Sequence, residues 1–229
     1  MKTYKHVFFD LDHTLWDFEK NSNETLTELH QTYQVHQYIP IHQFLETFHK
    51  VNNHLWHLHD TYQISSQQLR ETRFQLVFKE FDVENKALAD IFGTHYLSQA
   101  SQKPHLLPQA KEVLDYLYPK YPLHIITNGF PDVQRVKMQS GGILGYFQEI
   151  VTSAEAGFKK PDIGIFSYLM QKLKAKPEEC IMIGDNLETD ILGAIRSGID
   201  SVYYNPKQIG HTATSTYEIT CLSELKQIL

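Results

Sequence analysis

Two aspartates, Asp10 and Asp12, stand directly after the apolar run Val7-Phe8-Phe9. An apolar run that ends in acids reads as a buried parallel strand carrying carboxylates at its carboxyl edge, where open α/β sheets build their sites. Acids one residue apart repel each other, so their juxtaposition suits a site that uses both charges; a strand end followed by an Asp-rich turn is the plainer alternative. Three later segments bear on the choice. Ile125-Ile126-Thr127-Asn128-Gly129 ends a strand in a hydroxyl, followed by a pair able to adopt left-handed conformations and turn N–H groups toward an anion. In Gly157-Phe158-Lys159-Lys160-Pro161-Asp162, proline stiffens the chain after Lys160. Ile181-Met182-Ile183-Gly184-Asp185-Asn186 is a second apolar strand ending in an acid, and Asp190 follows at the opening of the next helix, where it could serve simply as a cap.

The chain of 229 residues with 41% hydrophobic content suffices for a large domain carrying a smaller one. Residues 6–10 read as a strand. From Phe18 to Ala100 only helical periodicity is evident, as in Leu26, Leu29, Tyr33 and in Leu69, Phe74, Val77, Phe78, Phe81. After Pro108 strands and helices alternate. The strands are Leu123–Thr127, 149–152, Cys180–Gly184, 201–204 and a short one near 217–220. The helices are 133–139, 165–173, 189–197 and 222–229. Such alternation predicts an α/β fold with a doubly wound parallel sheet, residues 1–15 and 101–229 forming its core and 16–100 an inserted helical domain over one end.

Asp10, Asp12, Asp185, Thr127 and Lys160 thus all fall at strand ends or in the loops beyond them. Clustered hard oxygens ask for Mg²⁺. A phosphate dianion beside three carboxylates would in turn require that metal and Lys160 to balance charge. The net charge of −6 argues against a nucleic-acid polymer as partner, and no stretch approaches the roughly 18 apolar residues of a membrane span. A strand starting at residue 6 leaves no room for a signal peptide, and Cys180 and Cys221 lack metal or redox spacing, so a cytoplasmic location is expected.

The set Asp10-Leu11-Asp12-His13-Thr14, Thr127-Asn128-Gly129, Lys160-Pro161-Asp162 and Gly184-Asp185-Asn186 with Asp190 resembles the four motifs of the haloacid dehalogenase superfamily over nearly the whole chain. Phe130 with Val133-Gln134, Ser153-Ala154-Glu155-Ala156-Gly157 and Asp190-Ile191-Leu192-Gly193-Ala194 are more narrowly similar to bacterial 5'-nucleotidases acting on pyrimidine and noncanonical nucleoside monophosphates. The resemblance implies a Rossmann-like strand order 3-2-1-4-5 and a helical cap for the insertion. It also implies hydrolysis of a small phosphomonoester. Asp10 would be nucleophile and Mg²⁺ ligand, and Asp12 acid–base and backbone ligand. Thr127, Asn128, Gly129 and Lys160 would bind phosphoryl, Asp185 would complete the metal site, and Asn186 and Asp190 would support it. Asp12 argues against dehalogenation and phosphonate cleavage, whose members lack the second acid; a sugar-phosphate phosphatase, a phosphomutase or a non-catalytic binding module stay open. The commonest pattern has Gly where His13 stands.

Other features invite plainer readings. His54, His57 and His59 near Trp56 lack a matching carboxylate for a metal site, and Trp16, Phe18 and Trp56 either pack the helical domain or stack a base. Gly141, Gly142 and Gly145 make no dinucleotide fingerprint and read as a helix stop.

Overall fold

A computed structural model describes residues 3–229. Six strands, β1 (His6–Phe9), β2 (Leu123–Thr127), β3 (Phe147–Thr152), β4 (Cys180–Gly184), β5 (Asp200–Tyr204) and β6 (Tyr217–Ile219), form one sheet in the order β3-β2-β1-β4-β5-β6. All its pairings are parallel. The expected order is therefore present, extended by the short β6 beyond β5. Register sets the site: Phe9 lies opposite Ile125 of β2 and Ile183 of β4, so Asp10, Thr127 and Asp185 leave the sheet at the same edge.

The strands are apolar on both faces because helices cover both. Val7, Phe9, Ile125 and Ile183 point to one core with α5 (Ala110–Leu117). Phe8, Ile126 and Met182 alternate to the other, packed on α8 (Ile163–Leu173) and Ala194 of α9 (Leu192–Arg196). Helix α6 (Pro131–Ser140) follows β2, the short α7 (Ser153–Ala156) follows β3, and α10 (Leu225–Ile228) closes the chain. The helix α5 was not among the expected elements, although Ala110, Val113, Leu114 and Leu117 carry its period and are all buried.

Residues 19–103 form a second compact unit, Glu19–Lys103, distinct from the segment up to Phe18 with Pro104–Leu229. It holds α1 (Phe18–Thr32), α2 (Ile41–Asp60), α3 (Ser66–Lys79) and α4 (Lys86–Ala100) around their own core. Phe44, Phe48, Phe74, Phe78 and Phe92 dominate that core, with Phe74 and Phe92 ring centroids 4.9 Å apart. Trp16 departs from expectation. It is buried in the sheet's core and bridged to Leu106, so it belongs with the strands and not with the inserted helices. Among the described residues no helix is long and apolar enough to cross a membrane.

At the amino edge of the sheet, His124 of β2 is buried edge-on against Phe8, with His6 Nδ1 3.2 Å from its Nε2. Burial, reinforced by His6, pushes its pKa down to about 4. The folded chain thus keeps His124 neutral where the unfolded chain, titrating near 6.5, has already bound a proton. Stability must fall as pH drops from 6.5 toward 4. His124→Leu should flatten that decline, by on the order of 1–3 kcal/mol at its foot. Urea denaturation at pH 5 and pH 7 reads the effect, and an unchanged slope would refute it.

Candidate active site

Lys160 is the hub of the site. Its ammonium group reaches Asp10 Oδ1 at 2.5 Å and Asp190 Oδ1 at 2.7 Å, and all three residues are buried. Its backbone is pinned from both sides by one amide: Asn128 Oδ1 accepts the Lys160 N–H at 2.8 Å, and Asn128 Nδ2 donates to the Lys160 carbonyl at 2.9 Å. The Lys160–Pro161 peptide is cis. Thus the Asn128 side chain positions the lysine.

Thr127 Oγ1 accepts from the Gly129 N–H at 3.0 Å and from Gln134 Nε2 at 2.8 Å. Two accepted bonds occupy its lone pairs and leave the hydroxyl proton to donate outward. Gly129 does not adopt the left-handed conformation expected of it. Its constraint is steric, since a Cβ there would lie 2.3 Å from Gln134 Nε2. The left-handed residue is instead His13, with φ 62°, which gives a physical reason why glycine suits that position. His13 is exposed, its ring 4.8 Å from that of Phe18.

Beyond β4 the chain makes a π-helical turn, Leu187–Ile191. Asn186 caps it, accepting from the N–H groups of Glu188 (2.9 Å) and Thr189 (3.1 Å). Asp190 is therefore not the cap. It points inward to Lys160 and accepts the Asn186 N–H at 3.1 Å. Gly184 makes room for it, because a Cβ there would fall 2.3 Å from Asp190 Oδ2. Asp185 takes a hydrogen bond from Thr14 Oγ1 at 3.0 Å.

Carboxylate oxygens of Asp10, Asp185 and Asp190 lie within 4.8 Å of one another. Burial, then the charge of Asp190, pushes Asp185 up to about 7. Burial also raises Asp10 well above the usual carboxylate range; Lys160 opposes the shift, and Asp190 and Asp185 add to it. Burial works against the Lys160 ammonium too, but the charges of Asp10 and Asp190 prevail and hold its pKa above the ordinary value. Three acids facing one lysine leave an excess of negative charge at a hard-oxygen cluster, which is the donor set that fits Mg²⁺.

The Asp12 carboxylate is not in that cluster. It is turned to α6, where Lys137 Nζ meets Oδ1 at 2.6 Å and Gln134 Nε2 meets Oδ2 at 2.9 Å. Burial would raise its pKa, yet Lys137 and the Gln134 bond hold it below the usual value. Lys137 also rests 4.5 Å from the Trp16 ring. Lys137 was not picked out by sequence reasoning, and Thr14 entered only as the last residue of the first motif, with no role of its own. Gln134 entered there only through resemblance, and no local spacing signals a partner 122 residues away. The cap histidines do not converge: His54 and His57 are exposed, while buried His59 contacts Ser66 Oγ at 3.0 Å and Asp60 at 3.2 Å.

The family model for haloacid dehalogenase-like hydrolases matches residues 4–198, a span containing every group above. The chain belongs to that family. It is 32% identical to pyrimidine 5'-nucleotidase PynA of Streptococcus pneumoniae, over 99% of this chain and 95% of PynA. It is 29% identical to pyrimidine 5'-nucleotidase YjjG of Escherichia coli, over 97% of this chain and 96% of YjjG. Among solved structures, the HAD-hydrolase YfnB of Bacillus subtilis, crystallised with magnesium, superposes with a TM-score of 0.90 at 27% identity, covering 99% of both chains. The protein is thus a phosphatase-type hydrolase.

Proposed function

We propose that this chain hydrolyses nucleoside 5'-monophosphates, pyrimidine ones preferentially, through an aspartyl-phosphate on Asp10. The observation that carries the reading is the full-length similarity to two pyrimidine 5'-nucleotidases together with a buried Asp10 held by Lys160 at 2.5 Å. Asp10 attacks phosphorus while Lys160 neutralises the nucleophile and the transferring oxygens. Thr127 O–H and the N–H groups after it hold those oxygens. Asp12, kept ionised by Lys137 in the free site, takes up a proton as the phosphate dianion binds and gives it to the leaving ester oxygen as the P–O bond breaks; it later takes one from the water whose attack releases phosphate and frees Asp10. Asp10, Asp185 and the Asp12 carbonyl would hold Mg²⁺, with Asp190 and Asn186 supporting them, and the ion supplies charge neutralisation to the phosphoryl group.

Phosphate release should be measured with Mg²⁺ on UMP, dUMP, dTMP, purine nucleotides, sugar phosphates and p-nitrophenyl phosphate. Preference for pyrimidine nucleotides supports the reading, and preference for sugar phosphates overturns its substrate. No phosphate release from any of them overturns the hydrolase reading.

Asp12 owes its orientation to Lys137 and Gln134. Lys137→Met should lower kcat about 10–100-fold on nucleotides, whose alkoxide leaves only when protonated, and much less on p-nitrophenyl phosphate, whose leaving group needs no acid. Equal losses on both substrates would assign Lys137 to packing.

Metal dependence has a proton signature. Folding lifts Asp185 from 3.8 to about 7, so between those values the folded chain binds more protons than the unfolded one, and metal-free stability falls as pH rises through that window. Mg²⁺ must displace those protons. Its addition should therefore raise Tm more at pH 7.5 than at pH 5, as differential scanning calorimetry would show; equal shifts would place the ion elsewhere.

A further inference from the structure

The turn after β1 holds a residue in a conformation that its side chain disfavours. His13 has φ 62°, in the left-handed region that glycine enters freely and that a Cβ makes costly. The turn does not let it relax. The His13 N–H donates to the Trp16 carbonyl at 3.0 Å, and the N–H groups of Leu15 and Trp16 both donate to the Leu11 carbonyl at 2.9 Å. Trp16, buried in the sheet's core, anchors the far end. Glycine at position 13 would relieve the strain, so the histidine is explained by what its side chain does.

That side chain stands beside the acid. Within residues 11–16, His13 alone is exposed and Asp12 alone is partly so; the rest are buried. Buried Lys137 at 2.6 Å and buried Gln134 at 2.9 Å close the inner side of the Asp12 carboxylate. Burial raises the Asp12 pKa, Lys137 and Gln134 lower it, and charge on His13 lowers it further, so the imidazole is within electrostatic reach of the carboxylate.

The imidazole is also braced. Its ring lies 4.8 Å from that of Phe18, tilted by 38°. Phe18 in turn lies 6.3 Å from the Trp16 ring and 5.9 Å from Lys137 Nζ, the cation that holds Asp12. All of these residues belong to the unit that contains the sheet. With one face toward Phe18, the ring presents its edge, where a neutral imidazole carries one donor and one acceptor nitrogen. A side chain so fixed loses little freedom on binding.

The chemistry dictates what meets it. For Asp12 to give a proton to the ester oxygen, that oxygen must come within about 2.6–3.2 Å of the carboxyl group. The carbon bonded to that oxygen, and the atoms beyond, then fill the space on the open side of Asp12. In a nucleoside 5'-monophosphate those atoms are C5' and the pentose. A pentose hydroxyl both donates and accepts, the complement of a neutral imidazole edge.

We propose that His13 is a specificity-determining residue, binding a pentose hydroxyl of the leaving alcohol through an imidazole nitrogen, an inference that rests on the nucleotidase reading above.

The test compares UMP with 2',3'-dideoxy-UMP, which lacks both ring hydroxyls, and ribose 5-phosphate with p-nitrophenyl phosphate. Wild-type chain with Mg²⁺ should show a higher kcat/KM for UMP than for its dideoxy analogue. In His13→Gly that ratio should fall about 3–10-fold, the scale of one hydrogen bond between uncharged groups. Tm should hold or rise by up to about 4 °C, because glycine relieves the left-handed strain. His13→Asn, whose amide tolerates that region and bonds a hydroxyl, should keep part of the preference. No preference in wild type, or a ratio unchanged in His13→Gly, overturns the proposal. A lower Tm with equal losses on all four substrates also overturns it and assigns His13 to folding. If wild-type chain cleaves ribose 5-phosphate but neither nucleotide, the nucleotidase reading alone fails. His13 is then judged by whether His13→Gly lowers turnover of ribose 5-phosphate more than that of p-nitrophenyl phosphate. Should no pentose phosphate be cleaved, both readings fall.

Discussion

Asp10→Asn should reduce phosphate release from every phosphomonoester by about 10⁴–10⁶-fold, the scale on which removal of a nucleophile acts. The amide preserves shape and keeps one oxygen for Lys160 Nζ, now 2.5 Å from Asp10 Oδ1, but it has no carboxylate to attack phosphorus. Lys160 also retains Asp190 at 2.7 Å, so the ammonium group is not stranded. Asp10 is held above its usual pKa by burial and by the charges of Asp190 and Asp185, with only Lys160 opposing; removing its charge relieves that repulsion. The variant should therefore melt at or above the wild-type temperature while being inert. Residual turnover above about 1% in a folded variant would remove Asp10 from the role of nucleophile.

Lys160→Met should show the opposite pairing of effects, losing both activity and stability. One buried cation neutralises two buried carboxylates here, and breaking a buried ion pair from one side typically costs about 3–5 kcal/mol. Methionine fills the space of the lysine stem, and the Asn128 amide still holds the backbone at this position, so the loss reports charge and not a collapsed loop. The pH dependence has a definite sign. Without Lys160 the folded-state pKa of Asp10 rises further, and stability drawn from a group with a raised pKa is present at low pH and lost as pH increases. The deficit relative to wild type should thus shrink from pH 7 to pH 4. Denaturation of the metal-free proteins across that range measures it, and a deficit independent of pH would show that packing is responsible. Adding Asp190→Asn to Lys160→Met should restore part of the loss.

The portions of this site that were legible in the sequence are those that strand ends announce. Val7-Phe8-Phe9 before Asp10 and Ile181-Met182-Ile183 before Asp185 declare themselves, because strands buried on both faces read as apolar runs and their carboxyl ends are where side chains converge. The sheet order followed from the resemblance of the motifs between them. What escaped has a common physical cause, long-range pairing of residues whose local context is unremarkable. Lys137 looks like a solvated helix lysine until α6 brings it to Asp12, 125 residues earlier in the chain. Arg73 looks like a surface residue of α3, yet it is 3% exposed, with the Tyr96 ring of α4 5.6 Å from its guanidinium carbon. Asp190 suited a cap by position, and only the π-turn, with Asn186 as cap, turns it inward. Following the first motif, Trp16 reads as the start of the helical insertion, whereas its bridge to Leu106 goes with a boundary three residues later, after Phe18.

The long insertion behind Asp12 also bears on how the chain assembles. β1 occupies the middle of the sheet, yet its partners begin at Leu123 and Cys180, so its apolar backbone is synthesised well before anything can pair with it. Joining such distant segments is slow because the closure entropy precedes any reward from contact. The 85 residues of Glu19–Lys103 change that arithmetic. They have a core of their own, and their flanks meet where the Asp17 N–H donates to the His105 carbonyl at 3.1 Å. Once that core has formed, the two halves of the sheet are tethered by a short staple and no longer by a long coil. The contact order that matters to the nascent chain is then far lower than residue numbers suggest. Weakening the Phe48, Phe74 and Phe92 cluster would accordingly slow completion of the sheet and leave β1 unpaired for longer, an aggregation hazard arising far from any residue of the sheet itself.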